Sequence, residues 1–510
     1  MLKKKINAIY SCCTTKPWLD VSEKLLDELN IIPKYFISWD DGDIEVPKKY
    51  PNCFFQNIRA AWNGKGFPEL DYKYPLDEKF LKSVSYEKVI AIKMMDRLDL
   101  NRYSFNYSDR QTYFYYLLKI WLVILDHYKI DIVISPNVPH RVFDYVLYVA
   151  AKVKNLEVVM FQELTSFNNL TSIVIDDIDQ TPNYLKNEIK NLEISGTPSK
   201  EILDIISLVQ SNYKISEAFY MKNLNKKLSK NYYLEIIRNI FKRITKPNYT
   251  NDSLFDSHKS SHIFENIMPF EKKGPRYRYL FERYKNFSYI KNLKNLYKSL
   301  TTKNFSKKYI FVAFHYQPEA TSMPTGGIFA NQELIINLLD SFLDKDIDII
   351  VKEHKQQFNI YSQSASGRGI NFYKNIMNIS SRVKFVDVNH DPFDLIDKAL
   401  ATATISSTIG WESVIRGTPS LIFGRAWYED MVGVYKIKTI ENLKDNWREI
   451  LNIKNNINKN EILSYHSKIE RFLVNGKYGQ NMVESILADD QTINNIFNGV
   501  KNHLIKKNFI

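Results

Sequence analysis

Reactive polar side chains follow two apolar runs in the C-terminal half of the sequence. The run YIFVAF leads into His315, Gln317 and Glu319, and the run IDIIV leads into Lys352 and His354. Both runs have the length and composition of buried parallel strands, whose carboxyl ends meet at one edge of a sheet. Imidazole, ammonium and carboxylate groups gathered at such an edge can bind an anionic ligand and move a proton.

A third run, TATISSTIGWE, has the pattern of a short strand that turns into a helix. The start of that helix would hold Ser406, Ser407, Thr408, Gly410 and Glu412. Hydroxyl groups and free backbone N–H groups at a helix N-terminus favour a phosphate. The alternative is that these residues cap the helix and bind nothing. Because a carboxylate beside a phosphate is unfavourable, Glu412 is better suited to accepting hydrogen bonds from ribose hydroxyls.

The N-terminal half supplies the remaining candidates. PNVPHRVFD places His140, Arg141 and Asp144 between a strand and a helix, and EVVMFQE ends at Glu163. Transfer of a group to a hydroxyl requires a general base, or a nucleophile that would give retention. Glu163 and Glu319 compete for that role, and His140 is either a third catalytic candidate or a capping residue. Arg141 and Asp144 are candidates for recognising the acceptor or a carboxylate.

The elements that position these residues form two α/β patterns in a chain of 510 residues, which is too long for one core. Strand, helix and strand alternate from residue 6, and the alternation restarts at residue 309. The predicted fold class is α/β, with two doubly wound, Rossmann-like domains facing a cleft, a basic helical connector and C-terminal helices. The predicted boundaries are 1–213 for an N-terminal acceptor domain, 214–308 for the connector, 309–480 for a C-terminal nucleotide-sugar domain, and 481–510 for a helix that could pack back on the first domain.

Composition favours a globular protein of a reducing compartment. Hydrophobic residues make up 44% of the chain, and its cysteines are Cys12, Cys13 and Cys53, too few for a disulfide framework. The apolar window 113–125 is well short of the ~18 to 20 residues that cross a bilayer. The apolar stretch at the N-terminus is also too short for a signal peptide. The sequence therefore predicts a cytoplasmic location.

The net charge of +13 is concentrated in the middle of the chain. Residues 214–308 carry 22 Lys and Arg against 7 Asp and Glu, a net charge of +15. Aromatic residues such as Tyr289 and Tyr297 are interleaved with these charges. A solvated connector surface and a surface for anionic membranes or lipid-linked acceptors are the two main interpretations. Nucleic-acid binding is the third and is not expected, because no nucleic-acid module accompanies the charge.

Several motifs with other chemistry are absent or weak. The sequence has no Walker loop, no Gly-x-Gly-x-x-Gly after the first strand and no Cys/His metal spacing. Asp41-Gly42-Asp43 matches an Asp-x-Asp metal and diphosphate signature, but its polar surroundings favour an exposed turn.

Taken together, the motifs resemble bacterial capsule and surface polysaccharide glycosyltransferases of the two-domain B-type fold (GT-B). The matching residues are Lys-Glu-His at 352–354, Ser-Ser-Thr-x-Gly-Trp-Glu at 406–412, Gly-Thr-Pro at 417–419 and the Gly-x-x-x-Tyr tail that ends at Tyr428. Within that group the sequence is most similar to transferases that use CMP-linked ulosonic acids, such as Kdo or nonulosonic acids. It departs from them at Lys355, where a Pro is usual, and at Gln162-Glu163-Leu164, where Kdo-type members have an acidic pair before a glycine.

This resemblance implies a function and a set of binding residues. CMP would lie against His354, Ser406, Ser407, Thr408 and Glu412, with His315, Gln317, Lys352, Gly410 and Tyr428 completing the nucleotide-sugar site. The reaction would need no metal and no cofactor besides the donor. The partners would be a nucleotide sugar, a glycan or lipid-linked glycan acceptor of capsule or lipopolysaccharide type, and the cytoplasmic face of the inner membrane. The alternatives are a nucleotide-sugar 2-epimerase and a polyanion-binding protein.

Overall fold

A computed structural model defines most of the chain. It describes residues 4–13, 15–39, 42–99, 105–164, 166–167, 171–191, 196–211, 276–319, 322–359, 364–476 and 489–510, with the backbone alone at 15–16, 276–284 and 489. Residues 214–275 of the predicted basic connector therefore lie outside the described residues.

The first domain is built on a mostly parallel sheet. Strand β1 pairs in parallel with both β2 and β4, β5 continues on β4, and β6 is antiparallel to β5. The elements are β1 (Ile6–Tyr10), α1 (Thr15–Leu29), β2 (Ile31–Ser38), α2 (Gly42–Lys49), β3 (Phe54–Asn57), α3 (Ile58–Trp62), α4 (Glu78–Ser83), α5 (Ser85–Met94), α6 (Tyr107–His127), β4 (Ile132–Ser135), α7 (Phe143–Val153), β5 (Glu157–Glu163), β6 (Thr171–Ile175), α8 (Asn183–Asn191) and α9 (Lys200–Gln210).

The apolar helix α6 fixes the end of β4 and the loop that follows it. All four residues of β4 are buried, as expected for a central parallel strand. Helix α6 packs on α7, and the indole N–H of Trp121 donates to the carbonyl of Phe143 at 2.9 Å. This bond holds the first turn of α7 in place, so the loop 136–142 is presented at the carboxyl edge of the sheet.

The second domain has a six-stranded parallel sheet in the order β12-β11-β10-β7-β8-β9. Because every strand runs the same way, the loops after β7, β8, β10 and β11 emerge at one edge, as the sequence predicts. The elements are α10 (Arg276–Leu300), β7 (Tyr309–Ala313), α11 (Glu333–Phe342), β8 (Asp348–Lys352), α12 (Phe372–Ile379), β9 (Val383–Phe385), α13 (Pro392–Lys398), β10 (Ala401–Thr404), α14 (Thr408–Ile415), β11 (Ser420–Ile422), β12 (Val434–Lys436), α15 (Ile440–Ile453) and α16 (Lys459–Glu470).

The last part of the basic connector is packed on the second domain. Helix α10 buries Ile290, Leu293 and Tyr297, and the Tyr297 hydroxyl donates to the carbonyl of Val386 at 2.7 Å. Tyr297 therefore belongs to the core and would not contribute to a membrane-binding surface, which is one of the interpretations of this segment.

After the second domain, the chain returns to the first. Strand β13 (Val474–Asn475) extends the first sheet beside β6, giving the order β13-β6-β5-β4-β1-β2-β3. Helix α17 (Asp489–Lys506) packs against α1, where Ile496, Val500 and Leu504 share one buried cluster with Trp18 and Leu25. The return takes place before residue 474, earlier than the boundary predicted at residue 481.

Polar contacts join the two domains on one side of the cleft. The Thr181 hydroxyl donates to Glu429 at 2.6 Å, and Lys436 donates both to Glu429 at 2.7 Å and to the carbonyl of Asp179 at 3.0 Å. The ring of Phe167 lies 5.1 Å from that of Trp427. These contacts set how the carboxyl edges of the two sheets approach each other. Among the residues described, no helix has the length and apolar character needed to cross a bilayer.

Candidate active site in the interdomain cleft

A buried ion pair holds the two strand-end loops of the second domain. Arg368 and Glu353 are 3% and 0% exposed, and Arg368 Nε lies 3.0 Å from Glu353 Oε2. The same guanidinium donates to the carbonyl of His315 at 3.0 Å, and Glu353 accepts the backbone N–H of His354 at 2.8 Å. A second donor to Glu353 is the hydroxyl of Tyr373 at 2.8 Å. Because a buried charge needs such partners, this network fixes both histidine backbones.

His315 is held between β7 and β10 with a defined ring orientation. Its Nε2 is 3.1 Å from Thr404 Oγ1 and accepts the N–H of Ser406 at 3.3 Å. An accepting Nε2 places the ring proton on Nδ1, since a neutral imidazole carries one proton. Nδ1 lies 3.9 Å from Glu319 Oε2. The two residues predicted from the end of β7 therefore face each other.

His354 is a neutral residue beside a cationic one. Burial lowers the pKa of His354 to about 4, and its Nδ1 accepts the N–H of Gln356 at 3.2 Å. The proton is therefore on Nε2, which can donate to a ligand. Burial, followed by the neighbouring ammonium of Lys355, lowers the pKa of Lys352 to about 8. Lys352 is thus still mostly protonated at neutral pH, although its burial makes the charged form less favourable than in water.

The start of α14 is closely packed. The Ser407 side chain accepts the N–H of Ile409 at 3.4 Å, which is the helix-capping role, and the Tyr428 hydroxyl donates to the carbonyl of Ser407. A Cβ on Gly410 would lie 2.5 Å from Tyr428 Oη. Gly410 and Tyr428 therefore shape the turn that presents Ser406 and the N–H groups of α14.

Glu412 lies in the first turns of α14, where an ionised carboxylate would repel a phosphate. The Thr408 hydroxyl donates to its Oε1 at 3.2 Å, and its Oε2 is buried with no hydrogen-bond partner in the described part of the chain. Burial raises the pKa of Glu412 to about 7. Around neutral pH the carboxyl group is therefore only partly ionised, which reduces its repulsion of a nearby anion.

Gln317 is predicted to contact the nucleotide, but its side-chain amide and its backbone N–H form hydrogen bonds with neighbouring loops. Its Nε2 donates to Ser322 at 2.8 Å and its backbone N–H donates to Gln357 at 2.8 Å. Its Oε1 is buried with no hydrogen-bond partner among the described residues. A Cβ on Gly367 would overlap the carbonyl oxygen of Gln317, so Gly367 must lack a side chain here.

The first domain contributes a loop folded around Asp144. This buried carboxylate accepts the backbone N–H groups of His140 at 3.2 Å and Arg141 at 2.6 Å, and lies 3.6 Å from Arg141 Nη1. Val142 has a φ of +55°, which β-branched residues rarely adopt. Asp144 therefore orients His140 and Arg141, and burial raises its own pKa.

His140 has one ring nitrogen free to act as an acceptor. Its Nδ1 is 2.8 Å from the carbonyl of Val138 and so carries the proton. Burial, together with the positive charges of Arg141 and Arg97, lowers the pKa of His140 well below its usual range. The neutral ring keeps a lone pair on Nε2, the form required of a general base.

Arg97 lies beside the His140 loop and was not selected from the sequence. Its Nη1 donates to the carbonyl of His140 at 2.6 Å. Burial and the like charge of Arg141 lower the pKa of Arg97, while the charges of Tyr316, Asp144 and Glu319 act in the opposite direction. Two arginines of the first domain therefore converge opposite the β7 loop of the second.

Glu163, at the end of β5, stands at the exposed margin of this group. The surrounding protein raises its pKa, and Arg141 opposes that rise. Both Glu163 and Glu319 are therefore close to the paired arginines, and the geometry does not separate them as catalytic candidates.

The Asp-x-Asp stretch lies elsewhere. Asp41 is outside the described residues, whereas Gly42 and Asp43 begin helix α2. The exposed turn expected across these two positions is instead the first turn of a helix.

Two Rossmann-like sheets whose carboxyl edges meet at a polar cleft define the architecture of the GT-B glycosyltransferases. The family model described as "Capsule polysaccharide biosynthesis protein" matches residues 203–470, slightly more than half of the 510 residues. The chain belongs to this capsule polysaccharide biosynthesis family. No curated protein sequence matches it.

Solved structures with partial similarity include two kinds of enzyme. Two structures of KpsC from Thermosulfurimonas dismutans, titled beta Kdo 2,4 and beta Kdo 2,7 transferase, match at 13% and 11% identity with TM-scores of 0.31 and 0.30. Each match covers 72% of this chain, and 87% and 84% of the respective chains. UDP-GlcNAc 2-epimerase from Methanocaldococcus jannaschii matches at 12% identity over 92% of this chain and 99% of its own, with a TM-score of 0.25. The strand orders of the two sheets define the fold without any argument from these low TM-scores.

Proposed function

We propose that the protein is a glycosyltransferase that moves an ulosonic acid from a CMP donor to a growing capsule or lipopolysaccharide-type glycan. The observation that carries this proposal is the convergence of Arg97 and Arg141. Burial and the like charge of Arg141 lower the pKa of Arg97, and Arg141 Nη1 is buried with no hydrogen-bond partner among the described residues. An anion bound beside the two arginines would therefore be stabilised. An ulosonic acid carries a carboxylate on its anomeric carbon, so binding it there would direct the reacting carbon to Glu319 and His140.

The opposite wall suits the leaving CMP. Lys352 and the N–H groups at the start of α14 can neutralise the phosphate, and the neutral His354 can donate from Nε2. Glu412, partly protonated near neutral pH, would contact the ribose hydroxyls. These groups would act without a metal ion, and the donor would be the only cofactor.

The reaction exchanges one bond at the anomeric carbon. The acceptor hydroxyl oxygen bonds to that carbon, the bond to the phosphate oxygen of CMP breaks, and the hydroxyl proton passes to a base. Glu163, Glu319 and His140 Nε2 are the candidates for that base. If Glu163 or Glu319 attacks first as a nucleophile, the configuration is retained.

In the first test, the purified protein is incubated with CMP-linked ulosonic acids or with UDP sugars, and consumption of each donor is measured. We expect CMP release from the acidic donors and none from the UDP sugars. Arg97→Met should lower kcat/KM for the acidic donor at least about 30-fold, the equivalent of about 2 kcal/mol for a buried charge contact. CMP affinity should be unchanged. Arg448→Met, which changes an exposed arginine on α15 of the second domain, is the matched control.

The catalytic carboxylate is tested in the same assay. Glu163→Gln is expected to abolish transfer and keep CMP affinity, whereas activity lost only in Glu319→Gln would assign the role to Glu319. Epimerised UDP-sugar products would favour the epimerase alternative. Salt-sensitive nucleic-acid binding without nucleotide binding would overturn the transferase proposal.

We also propose that the enzyme works at the cytoplasmic face of the inner membrane. On α10, Lys291, Lys294 and Lys298 are exposed and follow the i, i+3, i+7 spacing of one helix face, which is distinct from the face of the buried Leu293 and Tyr297. Such a face attracts anionic headgroups.

A further inference from the structure

A second cluster of ligating groups lies away from the cleft, where α17 crosses the first sheet. Glu157 opens β5, Asp176 follows β6, and His503 projects from α17. One oxygen or nitrogen atom from each lies within 4.8 Å of the others. The three residues come from distant parts of the sequence, so the return of the chain assembles the cluster.

Two of these ligating atoms are buried and without a hydrogen-bond partner among the described residues. His503 is 1% exposed, and neither its Nε2 nor Glu157 Oε1 forms a hydrogen bond. The two atoms are nevertheless 3.5 Å apart. Burying polar atoms without partners is unfavourable, and about 3.5 Å is the separation of two ligands on one tetrahedral ion with bonds of about 2.1 Å.

The other nitrogen of His503 is already oriented. Its Nδ1 lies 2.8 Å from the hydroxyl of Tyr184 in α8. Metal-binding histidines typically use their second nitrogen in this way, which fixes the ring and the tautomer. Tyr184 therefore aims Nε2 at the carboxylates.

A cation already balances the carboxylates. The ammonium of Lys507 pairs with Asp176 and lies 3.7 Å from Glu157 Oε1. Its side chain is 33% exposed and ends on a flexible stem, so it can withdraw into solvent. A divalent ion would take its place between the two carboxylates and also satisfy His503 Nε2, which has no hydrogen-bond partner among the described residues.

We propose that Glu157, Asp176 and His503 bind a divalent transition metal ion, with Zn²⁺ preferred for its mixed nitrogen and oxygen ligands. The ion displaces the Lys507 ammonium and ties α17 to β5 and β6. Its role is structural. The site is separate from the proposed transferase cleft and does not depend on that function.

The test is a Zn²⁺ titration of the full chain against a chromophoric chelator, with thermal unfolding as the second readout. We expect one ion per chain and a higher Tm with Zn²⁺. Lys507→Gln removes the competing cation and should tighten binding at least about tenfold, because one unit charge about 4 Å away is worth more than 1 kcal/mol. Lys506→Gln is the matched control, since Lys506 pairs with Glu188 and should leave Zn²⁺ affinity unchanged.

The ligand variants complete the test. Glu157→Gln and His503→Gln should each weaken Zn²⁺ binding at least about tenfold, and Tyr184→Phe should weaken it less. Asp176→Asn serves the same purpose if the variant at His503 unfolds. The proposal fails if neither the native protein nor Lys507→Gln binds Zn²⁺ stoichiometrically. It also fails if bound Zn²⁺ is indifferent to the changes at Glu157 and Asp176.

Discussion

The cleft residues differ in how strongly the protein shifts their protonation. Burial lowers the pKa of His140 and His354 and raises that of Glu412 to about 7. Near neutral pH both rings are therefore uncharged, and one can accept a proton while the other donates a hydrogen bond. The anion-binding charge is left to Lys352 and the arginines.

Nucleotide binding should depend on pH through Lys352, whose pKa of about 8 would rise when a phosphate is bound. The charged form binds better, so CMP affinity should fall as pH rises through 8, by up to about tenfold per pH unit. Ionisation of Glu412 near pH 7 should add a smaller fall at lower pH. Calorimetric titration of CMP from pH 6.5 to 9.5 measures this directly.

Two variants separate Lys352 from other causes of that profile. Lys352→Met should bind CMP weakly at every pH and lose the larger fall. Lys355→Met removes the neighbouring charge that lowers the Lys352 pKa, so it should move the fall to higher pH. An unaltered profile in Lys352→Met would contradict the assignment.

Site residues that directly follow a strand could be identified from the sequence, whereas site residues elsewhere could not. His315 and His354 were identifiable because a polar side chain directly after an apolar run lies at a sheet edge. Arg97 ends a short helical segment with no such signal, and only folding places it beside Arg141. Arg368 carried one usable signal. It is flanked by Gly367 and Gly369, and Gly367 has no room for a Cβ.

At the scale of elements, the turn from β10 into α14 depends on close packing. A methyl group on Gly410 would meet the hydroxyl of Tyr428 and the Oγ of Ser420, 2.8 Å away. Since Tyr428 holds the carbonyl of Ser407, the helix start and the Tyr428 ring cannot both keep their positions if Gly410 gains a side chain.

We therefore expect Gly410→Ala to destabilise the protein by about 1 to 3 kcal/mol through overpacking and to weaken CMP binding. Alanine normally favours a helix over glycine, so a rise in Tm would contradict the packing argument. Gly369→Ala is the control, because its Cβ would meet nothing within 4 Å. Chemical denaturation of both variants measures the difference.

Strands with long apolar runs were predictable, and short edge strands were not. The runs at 309–314 and 347–351 correspond to β7 and β8 within one residue. Strand β13 has two residues and no periodicity to detect, and it exists because β6 offers it a free edge. Helix α2 escaped prediction because its first turn is polar and it contains Pro47.

At the scale of the whole molecule, part of the excess positive charge lies on an exposed face of α10. Replacing Lys291, Lys294 and Lys298 with Gln should weaken binding to anionic vesicles about 100-fold, at about 1 kcal/mol per lysine. Hydrolysis of the soluble donor should be unaffected. Vesicle co-sedimentation at fixed salt provides the measurement.

The control for that experiment removes the same charge elsewhere. Lys73, Lys79 and Lys82 are exposed on the first domain, and their replacement by Gln should leave vesicle affinity unchanged. Equal losses in both triple variants would mean that net charge, and not the face of α10, governs binding.

The return of the chain to the first domain has a consequence during synthesis on the ribosome. The face of α1 that carries Trp18 and Leu25 is made near the start of the chain, but α17, which covers it, comes hundreds of residues later. The nascent first domain therefore exposes apolar surface while the whole second domain is translated. The domain that begins to fold first is the last to be completed, which makes it the natural point for chaperone contact.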